Sequence, residues 1–494
     1  MALDQQTIVD EETALLGSRP CDVKKRKRAV TPLPKLQIGI LLLLQLAEPI
    51  TSHCIYPFIN QLVGDLPIIG GDMRKVGYYT GAIGSMFFAA EALTVLFWSR
   101  LSDHIGRKPV LLTGLFGLTI SMLFFGLSRT FWTLVISRCL AGVLNGNIGV
   151  MKSMMGDLTD STNMARAFAW MPIVWSAGLT IGPFIGGTFA RPHTRWPTVF
   201  TNKFWVEYPY FLPCAISATL CACAFTATAI FLKETVNTRS NYKKIPEAPS
   251  PSPSEVTLTD EQENLLAERL GGEPLPMKDL LTRPVVISVL NYCLLALVDI
   301  AYFALLPLFY ATPIEFGGLG LQPWTIGYCS GAFGLTNGVL QGLFFAKFVE
   351  SFGPKRVFMN GVMMFIVLFA MFPVINYTAF YGGGLTPLVW ALVGLQLLIT
   401  VPMDMSFGCI FIFITSAAPS KRSLGATNGM AQTTVSIIRA FGPIMSTSLF
   451  AISIQRNLLG GYMVYLVMII LTLFSLAAST FLPREAWNHE GDSS

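Results

Sequence analysis

Apolar blocks of about 20 residues, separated by short polar stretches, recur along the whole chain and limit what it can fold into. The chain has 494 residues, 52% of them hydrophobic and 13% charged. A soluble core could not hide so much apolar surface in blocks of this length. In lipid every backbone polar group must be bonded within the protein, and blocks of this size satisfy that as helices. The windows predict spans near 36–62, 77–98, 109–128, 131–155, 165–189 and 209–232. A second set falls near 284–310, 324–347, 357–375, 386–416, 424–453 and 461–482. The expectation is an all-α polytopic membrane protein of about twelve transmembrane helices in two pseudo-symmetric six-helix bundles.

The regions between and around the bundles are polar. Residues 1–34 read as a disordered cytoplasmic tail without a cleavable signal peptide, 35–232 as the first bundle and 284–482 as the second. Between them, 233–283 carries Pro246, Pro249, Pro251 and Pro253 among Ser and Glu and cannot build a core, so it reads as a cytoplasmic linker. An amphipathic segment is expected around Glu261–Leu270, and 483–494 forms a short cytoplasmic tail. The run Lys24–Arg28 precedes the first span and reads as a topology anchor in preference to a nucleic-acid patch. Lys and Arg sort toward the same side, which places both termini in the cytoplasm. Nine cysteines, several inside apolar blocks, behave as small buried hydrophobes and form no metal or disulfide framework.

The two halves repeat each other. Gly77-Tyr78-Tyr79-Thr80-Gly81-Ala82-Ile83-Gly84 opens the second span, and Gly327-Tyr328-Cys329-Ser330-Gly331-Ala332-Phe333-Gly334 opens the eighth. The loops that follow match in charge and glycine placement, Arg100–Gly106 against Lys347–Gly353, with Glu350 echoing Asp103. Gly182-Pro183 in the fifth span echoes Gly442-Pro443 in the eleventh. Duplicated bundles related by an axis along the membrane normal are what an alternating-access carrier is built from.

Several motifs resemble those of a known family. Ser99–Pro109, with Asp103, Gly106, Arg107 and Lys108, resembles the major facilitator loop signature G-x-L-x-D-x-x-G-R-K, with Ser99 in place of its first glycine. Arg138 with Gly142 and Gly146 resembles the fourth-helix arginine pattern. Gly178-Leu179-Thr180-Ile181-Gly182-Pro183-Phe184-Ile185-Gly186-Gly187 resembles the fifth-helix signature of the antiporter branch. Together with Tyr208–Cys214 and Gly425–Gly429, the set is most similar to fungal twelve-helix drug:proton antiporters and the plant zinc-induced facilitator-like group. The resemblance implies a major facilitator fold, a small-molecule substrate and protons as the coupling ion; the chain is expected to act as a monomer in the bilayer, with no cofactor.

The motifs also have direct physical readings. Gly106 permits a tight turn, and Asp103 is an anion that Arg107 or the amino end of the eleventh helix could pair with, holding one state shut. Asp157 is a further partner for Arg107. Glycines at 178, 182, 186 and 187 let a neighbouring helix approach, and Pro183 frees a backbone carbonyl.

Ionisable residues inside apolar spans are costly and mark function by default. Glu48, His53, Arg138, Asp299, Asp404 and Arg439 are the candidates for proton coupling. Fixed pairs that merely orient helices are the competing reading, with Glu48 the partner expected for Arg138 and Asp404 or Asp299 for Arg439. Glu91 is expected near the inner end of the second helix, in the closing network. Tyr56, Trp175, Tyr302 and Asn337 are candidates to line a substrate cavity. His53 has no second membrane histidine with which to hold a metal.

The sequence therefore points to a secondary transporter and not an enzyme, since nothing resembles a nucleophile elbow or a paired catalytic site. Proton-coupled antiport of a small organic molecule such as a drug, toxin or natural product is the expectation. A uniporter or proton symporter, and a non-transporting sensor, are the alternatives. No nucleic-acid partner is expected. Glu11-Glu12-Thr13-Ala14-Leu15-Leu16 resembles an acidic dileucine address, which leaves the plasma and vacuolar membranes both open.

Overall fold

The structure is a computed structural model that describes residues 32–159, 163, 167, 170–235, 281–419 and 424–484. The dileucine segment, the basic run and the expected Glu261–Leu270 segment lie outside these residues. The described regular structure is helical, with twelve principal segments. In the first half these are α1 (Lys35–Gly64), α2 (Val76–Ile105), α3 (Arg107–Gly126), α4 (Phe131–Asp157), α5 (Trp170–Phe189) and α6 (Phe211–Phe231). In the second half they are α7 (Arg283–Ala311), α8 (Pro323–Phe352), α9 (Pro354–Tyr381), α10 (Pro387–Ala417), α11 (Leu424–Gln455) and α12 (Met463–Ser479). The longest, such as the 30-residue α2, reach about 45 Å and exceed the hydrocarbon core.

Two segments are broken, each for a local reason. In α1 the helix stops at Cys54 and restarts at Tyr56, where Pro57 in the new first turn has no amide hydrogen to continue the ladder. In α4 the break falls at Asn145–Gly146. Trp98 Nε1 donates to Val143 O at 2.6 Å and so satisfies a carbonyl beside the interruption.

The halves meet through two helix pairs, α5 with α8 and α2 with α11. Both contacts are tight at the end of the bundle away from the linker. A Cβ on Gly187 would lie 2.8 Å from Gly327 Cα, and one on Gly81 would strike Thr447 and Pro443. Ile444 N donates to Ser85 Oγ at 3.0 Å, Tyr78 donates to Gln455 Oε1 at 3.3 Å, and Arg195 Nη2 donates to the Tyr328 hydroxyl at 3.1 Å. Toward the linker end the same helices part. Gly342 on α8 and Gly429 on α11 face open space, and Trp170 and Ile173 on α5 are exposed. The cavity between the halves therefore opens at the linker end and is sealed at the other.

Candidate functional site

Charge collects where the helices are half-way through. Glu48, Glu91, Asp299, Asp404 and Arg439 each stand within about one turn of the midpoint of their own helix, on α1, α2, α7, α10 and α11. The Arg439 guanidinium is the cation acting on Glu48, Glu91 and Asp299. Glu48 also faces the Asn145 amide, exposed by the break in α4, and the Lys152 ammonium one and a half to two turns further along. Glu91 is 7% exposed and lies beside Glu48, so two carboxyl groups from adjacent helices share one neighbourhood.

Asp404 is held differently. Its Oδ2 accepts from Asn337 Nδ2 at 2.6 Å, and Asn337 Oδ1 accepts from Gln341 Nε2 at 3.0 Å. Its charged neighbour is Asp299, which is 8% exposed and has an Oδ1 without a hydrogen-bond partner. Of the two partners expected for Arg439, the structure brings in Asp299 and leaves Asp404 to the amide chain.

The expected Glu48–Arg138 pair does not form. Arg138 packs over the rings of Phe87 (5.2 Å) and Phe125 (5.7 Å), within electrostatic range of Tyr56 and His53. His53 meets Tyr56 edge-on at 5.1 Å and Trp175 at 6.4 Å, and Trp175 is 36% exposed. Tyr302 corrects the cavity assignment. It is 0% exposed, packed among Phe365, Phe369 and Phe372, with its hydroxyl 3.2 Å from Thr400 Oγ1. Glu91 is also corrected, from the inner end of α2 to its middle, because α2 continues through the polar Ser99–Ile105 stretch.

A separate cleft of about 410 Å³ lies at the sealed end, lined by Gln61, Arg191, Arg195, Gln322 and Trp324 among others. It is a vestibule between loops, remote from the midplane carboxylates.

The family model described as Major Facilitator Superfamily matches residues 66–443. The chain belongs to the Major Facilitator Superfamily. It is similar to the major facilitator-type transporter psiT2 of Psilocybe cyanescens, at 30% identity over 97% of this chain and 96% of that one. It is 28% identical to the major facilitator superfamily multidrug transporter mfsB of Aspergillus fumigatus, over 87% of this chain and 81% of the relative. Among solved structures, a bacterial homologue of the human lysosomal transporter Spinster, in an inward-facing and occupied conformation, superposes with TM-score 0.64. That match has 14% identity and covers 93% of this chain and all of the other, a likeness of fold.

In the major facilitator loop, Gly106 adopts φ +104°, and a Cβ there would press on the Glu234 carboxylate. Glu234, just past α6, accepts from the amides of Arg107 (3.0 Å) and Lys108 (2.9 Å), which caps the amino end of α3 with an anion. Lys108 Nζ donates to Ala229 O at 2.7 Å. Arg107 Nε lies 3.0 Å from Asp157 Oδ2, which also accepts from Thr235 Oγ1 at 3.0 Å. The Asp103 side chain and those of Leu424–Ala426 at the start of α11 lie outside the described residues. Glu350 is exposed on α8. The second-half turn repeats the first: Gly353 has φ +79°, and Lys355 Nζ donates to Thr480 O at 2.7 Å and to Leu482 O, as Lys108 does at the end of α6.

The fifth-helix glycines divide between two neighbours. A Cβ on Gly178, Gly182 or Gly186 would collide with α1 at Pro49, at Ile50 and His53, and at Cys54, whereas Gly187 faces α8. The backbone at Leu179 and Thr180, where Pro183 leaves the Leu179 carbonyl free, lies against Gly334 of α8. Gly442 meets Ile300 of α7, and Pro443 meets Gly81 of α2, the same arrangement in the other half. Asn145, Lys152 and Glu234 were not singled out from sequence. A lone lysine inside an apolar span was the available signal for Lys152.

Proposed function

We propose that this chain exchanges a small organic molecule for protons by alternating access, as a monomer, with the linker end in the cytoplasm. The observation that carries the reading is the midplane gathering of Glu48, Glu91 and Asp299 around Arg439. These groups come from α1 and α2 of one half and α7 and α11 of the other, so moving the halves changes which carboxylate the single guanidinium serves. A proton held between two carboxyl groups is then released or taken up as the arginine's position changes. The cavity that opens at the linker end supports loading from that side, and a relative named as a multidrug transporter supports an organic substrate.

The test is reconstitution into vesicles containing a pH-sensitive dye. Applying a panel of organic drugs down their gradient should move protons the opposite way, and Glu48→Gln or Glu91→Gln should abolish that movement. Drug flux that continues unchanged with no proton movement, with or without protonophore, would replace antiport with uniport. Proton movement in the same direction as the drug would make it symport.

A further inference from the structure

The two membrane arginines differ in a way proton exchange does not require. Neither forms a salt bridge among the described residues, but Arg439 lies in electrostatic range of Glu48, Glu91 and Asp299, whereas the groups acting on Arg138 include no described carboxylate. Arg138 is 7% exposed, its Nε has no hydrogen-bond partner, and its charge rests against the faces of Phe87 and Phe125. Two aromatic faces hold a guanidinium in place but leave its N–H donors unanswered. A buried cation without an anion is costly to maintain, and such groups are otherwise paired.

The groups around Arg138 can contact a ligand but cannot neutralise the charge. Among the described residues, Tyr56, His53 and Cys214 are the titratable groups acting with Arg138, and none is a carboxylate. Tyr56 and Trp175 set their rings edge-on to His53, forming an aromatic corner beside the guanidinium. The α5 glycines bring this corner together, since Gly182 lies directly on the His53 Cβ and any side chain there would push α5 away from α1.

We propose that Arg138 is the anion-binding residue of the cavity and takes the carboxylate of an aromatic organic acid seated against Tyr56, His53 and Trp175. The inference rests on the reading that the midplane cavity takes the transported molecule, and it specifies that molecule's charge. Bidentate donation from a planar guanidinium suits a carboxylate, and water exclusion by Phe87 and Phe125 strengthens the contact.

The experiment uses the purified full chain in detergent and three probes with one ring system: naphthalene-2-carboxylate, naphthalene-2-carboxamide and naphthalene-2-methylammonium. Calorimetric titration near neutral pH should give the carboxylate a dissociation constant about tenfold below that of the amide, with the ammonium weakest. Arg138→Gln should bring the carboxylate to the level of the amide, and Arg138→Lys should recover part of the difference. The proposal is overturned if the wild-type protein binds the amide or the ammonium as tightly as the carboxylate, or binds none of the three. It is equally overturned if folded Arg138→Gln keeps the preference. Should that variant not fold, the wild-type ranking and Arg138→Lys decide. No pH gradient enters the titration, so a carboxylate preference can stand where gradient-driven exchange fails, and the reverse.

Discussion

The two halves share a frame but not a pocket. Turns at Gly106 and Gly353, lysine contacts at Lys108 and Lys355, and the Gly-Pro pairs at 182–183 and 442–443 occupy equivalent places and make equivalent contacts. The charged residues at the midplane break the symmetry. The first half presents Arg138 in an aromatic shell, paired with no described carboxylate, and the second presents Asp404 on an amide chain and Arg439 in range of carboxylates from both halves. Duplication accounts for the parts that must move alike, and divergence for the parts that set each half's own chemistry.

The sharpest way to break that comparison is to remove the cation shared by both halves. Arg439→Gln leaves three carboxylates without their guanidinium, and gradient-driven transport in vesicles should fall by roughly two orders of magnitude. Retention of most of the rate would reduce the cluster to helix packing.

Next in size is the contrast between the sealed and open ends of one helix pair. Gly187→Ala puts a methyl group against Gly327 and should weaken the sealed state by about 1–3 kcal/mol, shifting the balance about 5- to 150-fold toward opening there. Gly342→Ala faces open space and should leave this state unmoved. Labelling of an introduced cysteine at Ile173 reads the difference, and equal effects of both substitutions would contradict the opening described here.

A smaller effect is expected at the α3 cap. Glu234→Gln exchanges a carboxylate for a neutral amide at a helix amino end and should cost about 1 kcal/mol, or about 2 °C of melting temperature in detergent. An unchanged melting curve would make the cap incidental. Smallest of all, Lys108→Met, which loses one carbonyl contact, and Lys355→Met, which loses two, should each cost about 0.5–1 kcal/mol. A large inequality in their thermal melts would show that the repeat is geometric only.

The helix count was legible because burial in lipid writes itself as apolar length, and the internal repeat was legible because matching turns need matching glycines. Pairings were less so. Sequence reports depth along a helix but not the direction in which a side chain leaves it: opposite charge alone suggests Glu48 for Arg138, whereas α4 sets the guanidinium against Phe87 and Phe125. Glu91 was misplaced for another reason: Ser99, Asp103 and His104 read as a loop, yet the helix runs through them beyond the apolar window. Tyr302 looked like a cavity residue because a tyrosine in a membrane span has a polar end, but Thr400 satisfies that end inside the second bundle.

The meeting of Gly187 and Gly327 bears on how fast such a protein can cycle. Where backbone rests on backbone there are no rotamers to freeze and no flexible side chains to extract from one another, so making and parting this joint carries little side-chain entropy in either direction. A seam built from leucines or methionines would need to reorder its side chains each time it closed. The glycine seam behaves as a bearing surface, and the pace of turnover is left to the slower events around it, the arrival and release of cargo.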